Sequence, residues 1–419
     1  MSKHTHRSKL PVELLAPAGN MEKLEIALAY GADAVYLGGQ NFSLRNFSDN
    51  FSIPEIKEAV RLAHHLNAKV YVTCNIFPRS HELSELKAYL RDLSSCGPDA
   101  LIVADPGVLL LARETVPHIP LHLSTQANTT NVAALKFWAK QGIRRINGAR
   151  ELSMEEIKAL CQENIEVECF IHGAMCIAYS GRCLLSSCMA DRDSNRGHCA
   201  HPCRWSYSVV EAKRPGHYFP LLEDQRGSYI FNSKDLCMIA HLPEMIAAGV
   251  SSFKIEGRMK SIHYLAVTTG VYREALDLFF KNPAAYKEDP SWFRRLNSLH
   301  HRGYGTGFYL NKPQDIQPDV HNTEGKSPKA LFVGKILSDG QSGSHALVCR
   351  NRFVTGDVVE VLHPGAPPST DRIVCIKEAD TPVSVARPNT RLQVTLENDH
   401  RALSLIRIPE EPLPNASAY

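Results

Sequence analysis

With 419 residues, 44% of them hydrophobic and 22% charged, the chain is too long for one small domain and lacks the bias of disordered or fibrous sequences. A formal net charge of +3 neither requires nor excludes a nucleic-acid partner. The opening residues MSKHTHRSKLPVELLAPAG carry positive charge without the apolar run of a secretory signal, and nowhere do about 18 apolar residues run together. A cytoplasmic protein with no membrane contact is expected, and in that compartment its 12 cysteines are not a disulfide framework.

Short apolar runs then alternate with amphipathic segments. Strands are expected at VELLAPAG (12–19), DAVYLGG (33–39), KVYVTCN (69–75), ALIVAD (100–105), LHLSTQ (121–126), RRINGARE (144–151), VECFIHG (167–173) and SSFKIEGR (251–258). A helical pattern follows each, the first being MEKLEIALAYG, with others at about 53–66, 81–95 and 261–281, and with LCMIAHLPEMIAAG (236–249) closing the long seventh connection. Apolar strands separated by helices mean βαβ units and a parallel sheet. Eight such units over about 280 residues favour a closed α/β, (β/α)8 TIM-like barrel over an open doubly wound sheet, for which no G-x-G-x-x-G turn is present.

Domain limits follow from the changes of texture. Residues 1–283 form the barrel, with a Cys-rich insertion at about 174–234; 284–327 form a linker packing on it; 328–410 form a small β-barrel domain; 411–419 form a tail. The small domain is read from ALFVGKIL, HALVCR, GDVVEVLHP, DRIVCIKEA and RLQVTLE, alternating runs split by turn residues.

Barrel chemistry sits where strands end and βα loops begin. The polar residues placed there are Asn20, Tyr36, Asn75, Asp105, Thr125, Gln126, Arg150, Glu151, His172, Glu256 and Arg258. Asn20 and Asp105 also suit the N-cap of the next helix. Tyr36, Arg150, Glu151, His172, Glu256 and Arg258 are the candidate catalytic set at the mouth. A salt-bridged rim of Glu151, Lys254, Glu256 and Arg258 is the structural alternative.

The connection after VECFIHG is about 60 residues long, and loops of that length are functional or carry a subdomain. It holds Cys176, six residues, Cys183, fifteen residues, Cys199, three residues and Cys203, with Cys188 in the long gap and Cys237 beyond it. Cys74, Cys96, Cys161, Cys169, Cys349 and Cys375 sit in strand or helix patterns and read as small buried hydrophobes. The loop cysteines lie among Gly, Arg, Ser, Asn and His, which apolar burial does not explain. Zinc and an iron–sulfur cluster are the two candidates, and gaps wider than short C-x₂₋₄-C knuckles favour the cluster. Arg182, Arg192, Arg196, His198, His201 and Arg204 surround the site, suited to balance a cluster's negative charge or to meet phosphates. Further on, FRRLNSLHHRGYGTGFY (293–309) interleaves bases with aromatics, a pattern for RNA contact or for packing on a neighbouring domain.

ELLAPAG (13–19), GADAVYLGG (31–39), HGAMCIAYSGRCLLS (172–186), NRGHCAHPCRW (195–205), NSKDLC (232–237) and KIEGR (254–258) together resemble the collagenase-like peptidase family U32. The resemblance spans the barrel and extends to the C-terminal β domain, and it is strongest to members acting in tRNA hydroxylation. It implies a 4Fe-4S cluster on Cys176, Cys183, Cys199 and Cys203, with Cys237 in reserve and Cys188 a neighbour. It further implies 5-hydroxyuridine formation at the wobble position of the tRNA anticodon loop, with prephenate, a small-molecule carboxylate, as input; a protein partner is left open. Collagenase-like proteolysis, a cluster-bearing scaffold without chemistry, and a part in rRNA hydroxylation are the alternatives. For proteolysis the sequence offers only His172 near Cys176, with neither G-x-S-x-G nor H-E-x-x-H.

Overall fold

The structure is a computed structural model that describes residues 10–43, 50–176, 179–204, 208–210, 218–220, 234–311 and 330–409. The expected tail 411–419, most of the linker's second half and the side chain of Arg204 lie outside the described residues.

All eight expected strands form, at Glu13–Pro17, Ala34–Gly38, Lys69–Cys74, Ala100–Val103, Leu121–Leu123, Ile143–Asn147, Glu166–Gly173 and Ser252–Ile255. Each pairs in parallel with the next, and the eighth closes on both the seventh and the first. The helices between them carry the sequence's start signals. Asn20 accepts from Lys23 N at 3.0 Å and Asp105 from Val108 N at 3.0 Å, so these two strand-end residues are helix caps, worth about 1 kcal/mol each. Ser52 and Ser153 complete capping boxes with Glu55 and Glu156.

Outward residues of the strands pack under the helices in one large cluster, while Leu15, Ala34, Tyr36, Tyr71, Ala100 and Ile102 fill the interior. The rest of the interior is ionic. Glu168 accepts from Lys254 Nζ at 2.7 Å and from Asn147 Nδ2 at 2.9 Å, and Arg145 lies 3.6 Å away. Arg145 also binds Glu13 and Glu166, while the Tyr71 hydroxyl donates to Glu13 at 2.6 Å. Burial alone would raise the Glu13 carboxyl, but the Arg145 guanidinium holds it below the usual carboxylate range.

Two segments differ from expectation. LCMIAHLPEMIAAG does not begin as a helix: Asp235–Cys237 is a short strand antiparallel to the seventh, and the helix starts only at Leu242. The expected linker contains the helix Pro290–Asn297, with Trp292 and Leu296 buried, and a strand Tyr304–Gly305 that extends the sheet. Its aromatic and basic residues are largely used in this packing. Arg295 pairs with Glu274 at 2.6 Å, Arg302 pairs with Asp235 at 2.6 Å, and buried His301 stacks on Tyr304 at 4.1 Å.

Residues 330–409 form a six-stranded antiparallel barrel in the order Val358–His363, Leu405–Pro409, Ala330–Ile336, Ser344–Cys349, Arg391–Leu396, Ala366–Glu378, closing back on the first. Leu405–Pro409, which the sequence pattern did not reveal, is the closing strand. This domain docks on the outer helices of the large barrel. Tyr30 donates to the Leu362 carbonyl at 2.8 Å, Glu22 takes Lys335 at 2.6 Å and Arg350 at 2.9 Å, and Phe332 stacks on His263.

Candidate active site at the barrel mouth

Five of the six candidate side chains meet at the C-terminal ends of the barrel strands. Tyr36 points inward, and its hydroxyl lies 3.1 Å from the Ile255 carbonyl and 3.3 Å from Glu256 Oε2. Lys254 Nζ stands 4.5 Å from the Tyr36 ring centre and 5.6 Å from that of Phe170, and the Arg150 guanidinium lies 4.2 Å over the same Phe170 ring. A continuous line of cation, ring and carboxylate therefore crosses the mouth from Arg150 to Glu256. Arg258 donates to Ser43 Oγ at 3.0 Å and Thr73 Oγ1 at 3.4 Å. Gly38 makes this possible, because a Cβ there would stand 2.0 Å from Arg258 Nη1. The expected salt-bridged rim is thus drawn differently, since Lys254 serves Glu168 inside the barrel.

Glu151 reaches the Cys-rich excursion. Its Oε1 accepts the Ser180 N–H at 2.8 Å, and buried Thr125 Oγ1 is 3.4 Å from Ser180 Oγ. Glu151 Oε2 and Arg150 Nε are buried without hydrogen-bond partners among the described residues, leaving one acceptor and one donor at the end of the sixth strand. Asn75 Nδ2 donates to Gln126 Oε1 at 2.6 Å, tying the ends of the third and fifth strands together.

His172 is the exception. The register between the seventh and eighth strands shifts by one residue, so Lys254 faces Phe170 but Ile255 faces His172. Side chains alternate along a strand, and this bulge turns His172 to the outer face of the sheet. There it is 1% exposed and ringed by Tyr264, Tyr272 and Tyr304, with Nδ1 3.3 Å from the Tyr272 hydroxyl. Burial pushes its pKa down to about 3, so it is neutral at physiological pH. Its Nε2 has no partner among the described residues, so no imidazole–thiol pair with Cys176 exists there.

The excursion crosses the mouth and folds on itself. Arg196 grips Glu82 with bonds of 2.7 and 3.1 Å, Ser194 Oγ donates to the Cys183 carbonyl at 2.7 Å, and Ala200 N donates to Ser186 Oγ at 2.9 Å. The short helix Leu185–Ala190, which the sequence did not reveal, packs on the turn Pro202–Arg204. A cleft of about 180 Å³ lies between the excursion's Arg196 and His198 and the barrel's Gln40, Phe42, Ile76 and Glu85.

All twelve cysteines are free. Burial raises the thiols of Cys74 to about 12 and of Cys161 to about 11, and holds Cys169 well above the ordinary thiol range; Cys74 and Cys169 are fully enclosed, as their reading as small hydrophobes requires. Cys237 behaves likewise: it is buried in the short strand, 3.8 Å from the Tyr272 hydroxyl, and burial raises it to about 11. Cys176 and Cys188 are exposed and Cys183, Cys199 and Cys203 half-buried. Cys199 Sγ accepts the His201 N–H at 3.4 Å, the kind of backbone bond a metal-held thiolate collects. The donor set therefore fits a four-thiolate group chemically. Among the described residues, no three His, Cys, Asp or Glu side chains converge to hold a metal, so the four sulfurs share one excursion without being drawn to a point.

A closed parallel barrel with a thiol-rich excursion over its mouth and an appended antiparallel barrel defines the class. Residues 19–318 match Peptidase family U32 and residues 328–407 match the Peptidase family U32 C-terminal domain, and the chain belongs to this family. It is 41% identical over 370 residues to tRNA hydroxylation protein P1 of Bacillus subtilis (strain 168), covering 88% of this chain and 87% of that one. It is 39% identical over 397 residues to tRNA hydroxylation protein P of Escherichia coli (strain K12), covering 84% and 86%. Likeness to the 23S rRNA 5-hydroxycytidine C2501 synthase of Escherichia coli (strain K12) is 39% over 284 residues, covering 66% of this chain and 40% of that one. No helix among the described residues is long and apolar enough to cross a membrane.

Proposed function

We propose that this protein takes part in hydroxylating tRNA, at C5 of the wobble uridine, as an iron–sulfur protein with prephenate as the carboxylate input. The tRNA reading is supported by likeness to tRNA hydroxylation proteins over most of both chains, and it favours tRNA over rRNA because the rRNA enzyme is matched over 40% of its length. The observation that carries the cluster is the lack of a core in the described part of the excursion. Among the described residues 179–204, those buried are Ser180, Ser186, Gly197 and Pro202, with no large apolar side chain. A segment without a core needs a staple, and its thiols form no disulfide. Cys176, Cys183, Cys199 and Cys203 would hold a 4Fe-4S cluster, with Cys237 too enclosed to serve. A bound cluster would supply the redox capacity that oxidation at a carbon of the base requires.

The chain's own residues bind and orient. Arg150 provides positive charge for a substrate carboxylate and Glu256 an acceptor for an unstacked base, while buried Tyr36 and Arg258 fix the wall behind them through Ile255, Ser43 and Thr73. Glu151 positions the excursion through Ser180. Proteolysis finds no support at His172, which faces the tyrosines rather than Cys176. Mass spectrometry of tRNA nucleosides from a strain lacking the gene tests the reading. Loss of 5-hydroxyuridine products, restored by the wild-type gene but not by Cys183→Ala, is expected; unchanged tRNA would refute it.

A further inference from the structure

The turn Tyr179–Arg182 rides on the rim of the mouth. Arg182 N donates to the Tyr179 carbonyl at 3.0 Å, and Gly181 has φ +72°, as the third residue of a type II turn requires. Its two central residues face the barrel. Ser180 is 2% exposed and bonded to Glu151, and Gly181 lies so close to the next loop that a Cβ would stand 2.3 Å from the Gln126 carbonyl oxygen. Its two corner residues face away. Tyr179 is 64% exposed, and Arg182 is exposed without a side-chain hydrogen bond or ion pair among the described residues. Tyr36 and Phe170, the rings of the barrel strands at the mouth, are buried beside Lys254 and cannot receive a base from outside.

We propose that this turn is a docking element for single-stranded RNA, with the Tyr179 ring stacking on an unpaired base and Arg182 contacting an adjoining phosphate; it rests on the RNA reading above. Anchoring both central residues fixes the backbone, so little ordering cost remains when the ring stacks. A ring and a cation offered together are the pair by which proteins hold unpaired strands. The local charge agrees: residues 179–204 contain four Arg against two Asp.

Fluorescence anisotropy of the full chain, purified anaerobically, against a labelled anticodon stem–loop RNA tests this. Tyr179→Ala should weaken binding about ten- to a hundredfold, the range for losing one stacked base. Tyr179→Phe should bind within about twofold of wild type, because the stacking face remains. Arg182→Gln should lower the slope of log affinity against log salt by about 0.7, one phosphate contact to a single strand. Phe137→Ala, an exposed ring on an outer helix, should change nothing. Wild type binding RNA with Tyr179→Ala equal to it overturns the docking role while leaving the RNA reading intact. Wild type that binds no RNA overturns both, and Tyr179→Ala that keeps RNA but loses a protein partner assigns the turn to that partner instead.

Discussion

The barrel wall and the Cys-rich excursion solve opposite problems. The wall is closed on itself, with buried apolar layers outside and a buried ionic network inside, so each strand is fixed by its neighbours. The excursion is held by a few polar grips, Glu151 on Ser180, Glu82 on Arg196 and Ser186 on Ala200. Rigidity is thus concentrated below the mouth, and the thiols proposed to hold the cluster sit where the described residues have the least packing of their own.

Three perturbations sharpen that contrast. The largest effect is expected for Glu168→Ala, which leaves Lys254 buried without its carboxylate; unfolding in urea should show a loss of about 3–5 kcal/mol. Acid comes next. Burial holds His172 and His263 at pKa values of about 3, while the unfolded rings take protons below about 6.5. Between those values the unfolded chain binds more protons, so stability is full above about pH 6.5 and falls as pH drops toward 3. Each ring should cost about 2 kcal/mol by pH 5, and His263→Asn should flatten the urea-midpoint profile between pH 7 and 5. The smallest global effect belongs to Glu82→Gln. Its pair with Arg196 is partly exposed, so global stability should change by about 1 kcal/mol or less, while limited proteolysis within 179–204 should quicken several-fold. Equal protection of the excursion in this variant would show that the grip does not hold it.

The strands were legible because each is a short apolar run between helices with their own caps, a signal carried by adjacent residues. Leu405–Pro409 escaped because Arg407 interrupts its apolar run, and that charge is explained only in the fold, by Glu360 across the sheet and Ser298 on the large barrel's side. The interior network left a trace that could have been read: Glu13, Arg145, Glu168 and Lys254 are charges at inward positions of four barrel strands. No local signal marks the register shift that turns His172 outward, since it depends on pairing between strands about 80 residues apart. The basic aromatic stretch 293–309 was ambiguous for the same reason, since Arg295 and Arg302 are matched by Glu274 and Asp235 outside it.

The most direct measurement is the iron and sulfide content of the full chain purified anaerobically, together with single Cys→Ala variants. About four irons per chain are expected, lost in Cys176→Ala, Cys183→Ala, Cys199→Ala and Cys203→Ala and kept in Cys375→Ala. An iron-free wild type, or iron indifferent to those four substitutions, would contradict the assignment of the excursion as a cluster site.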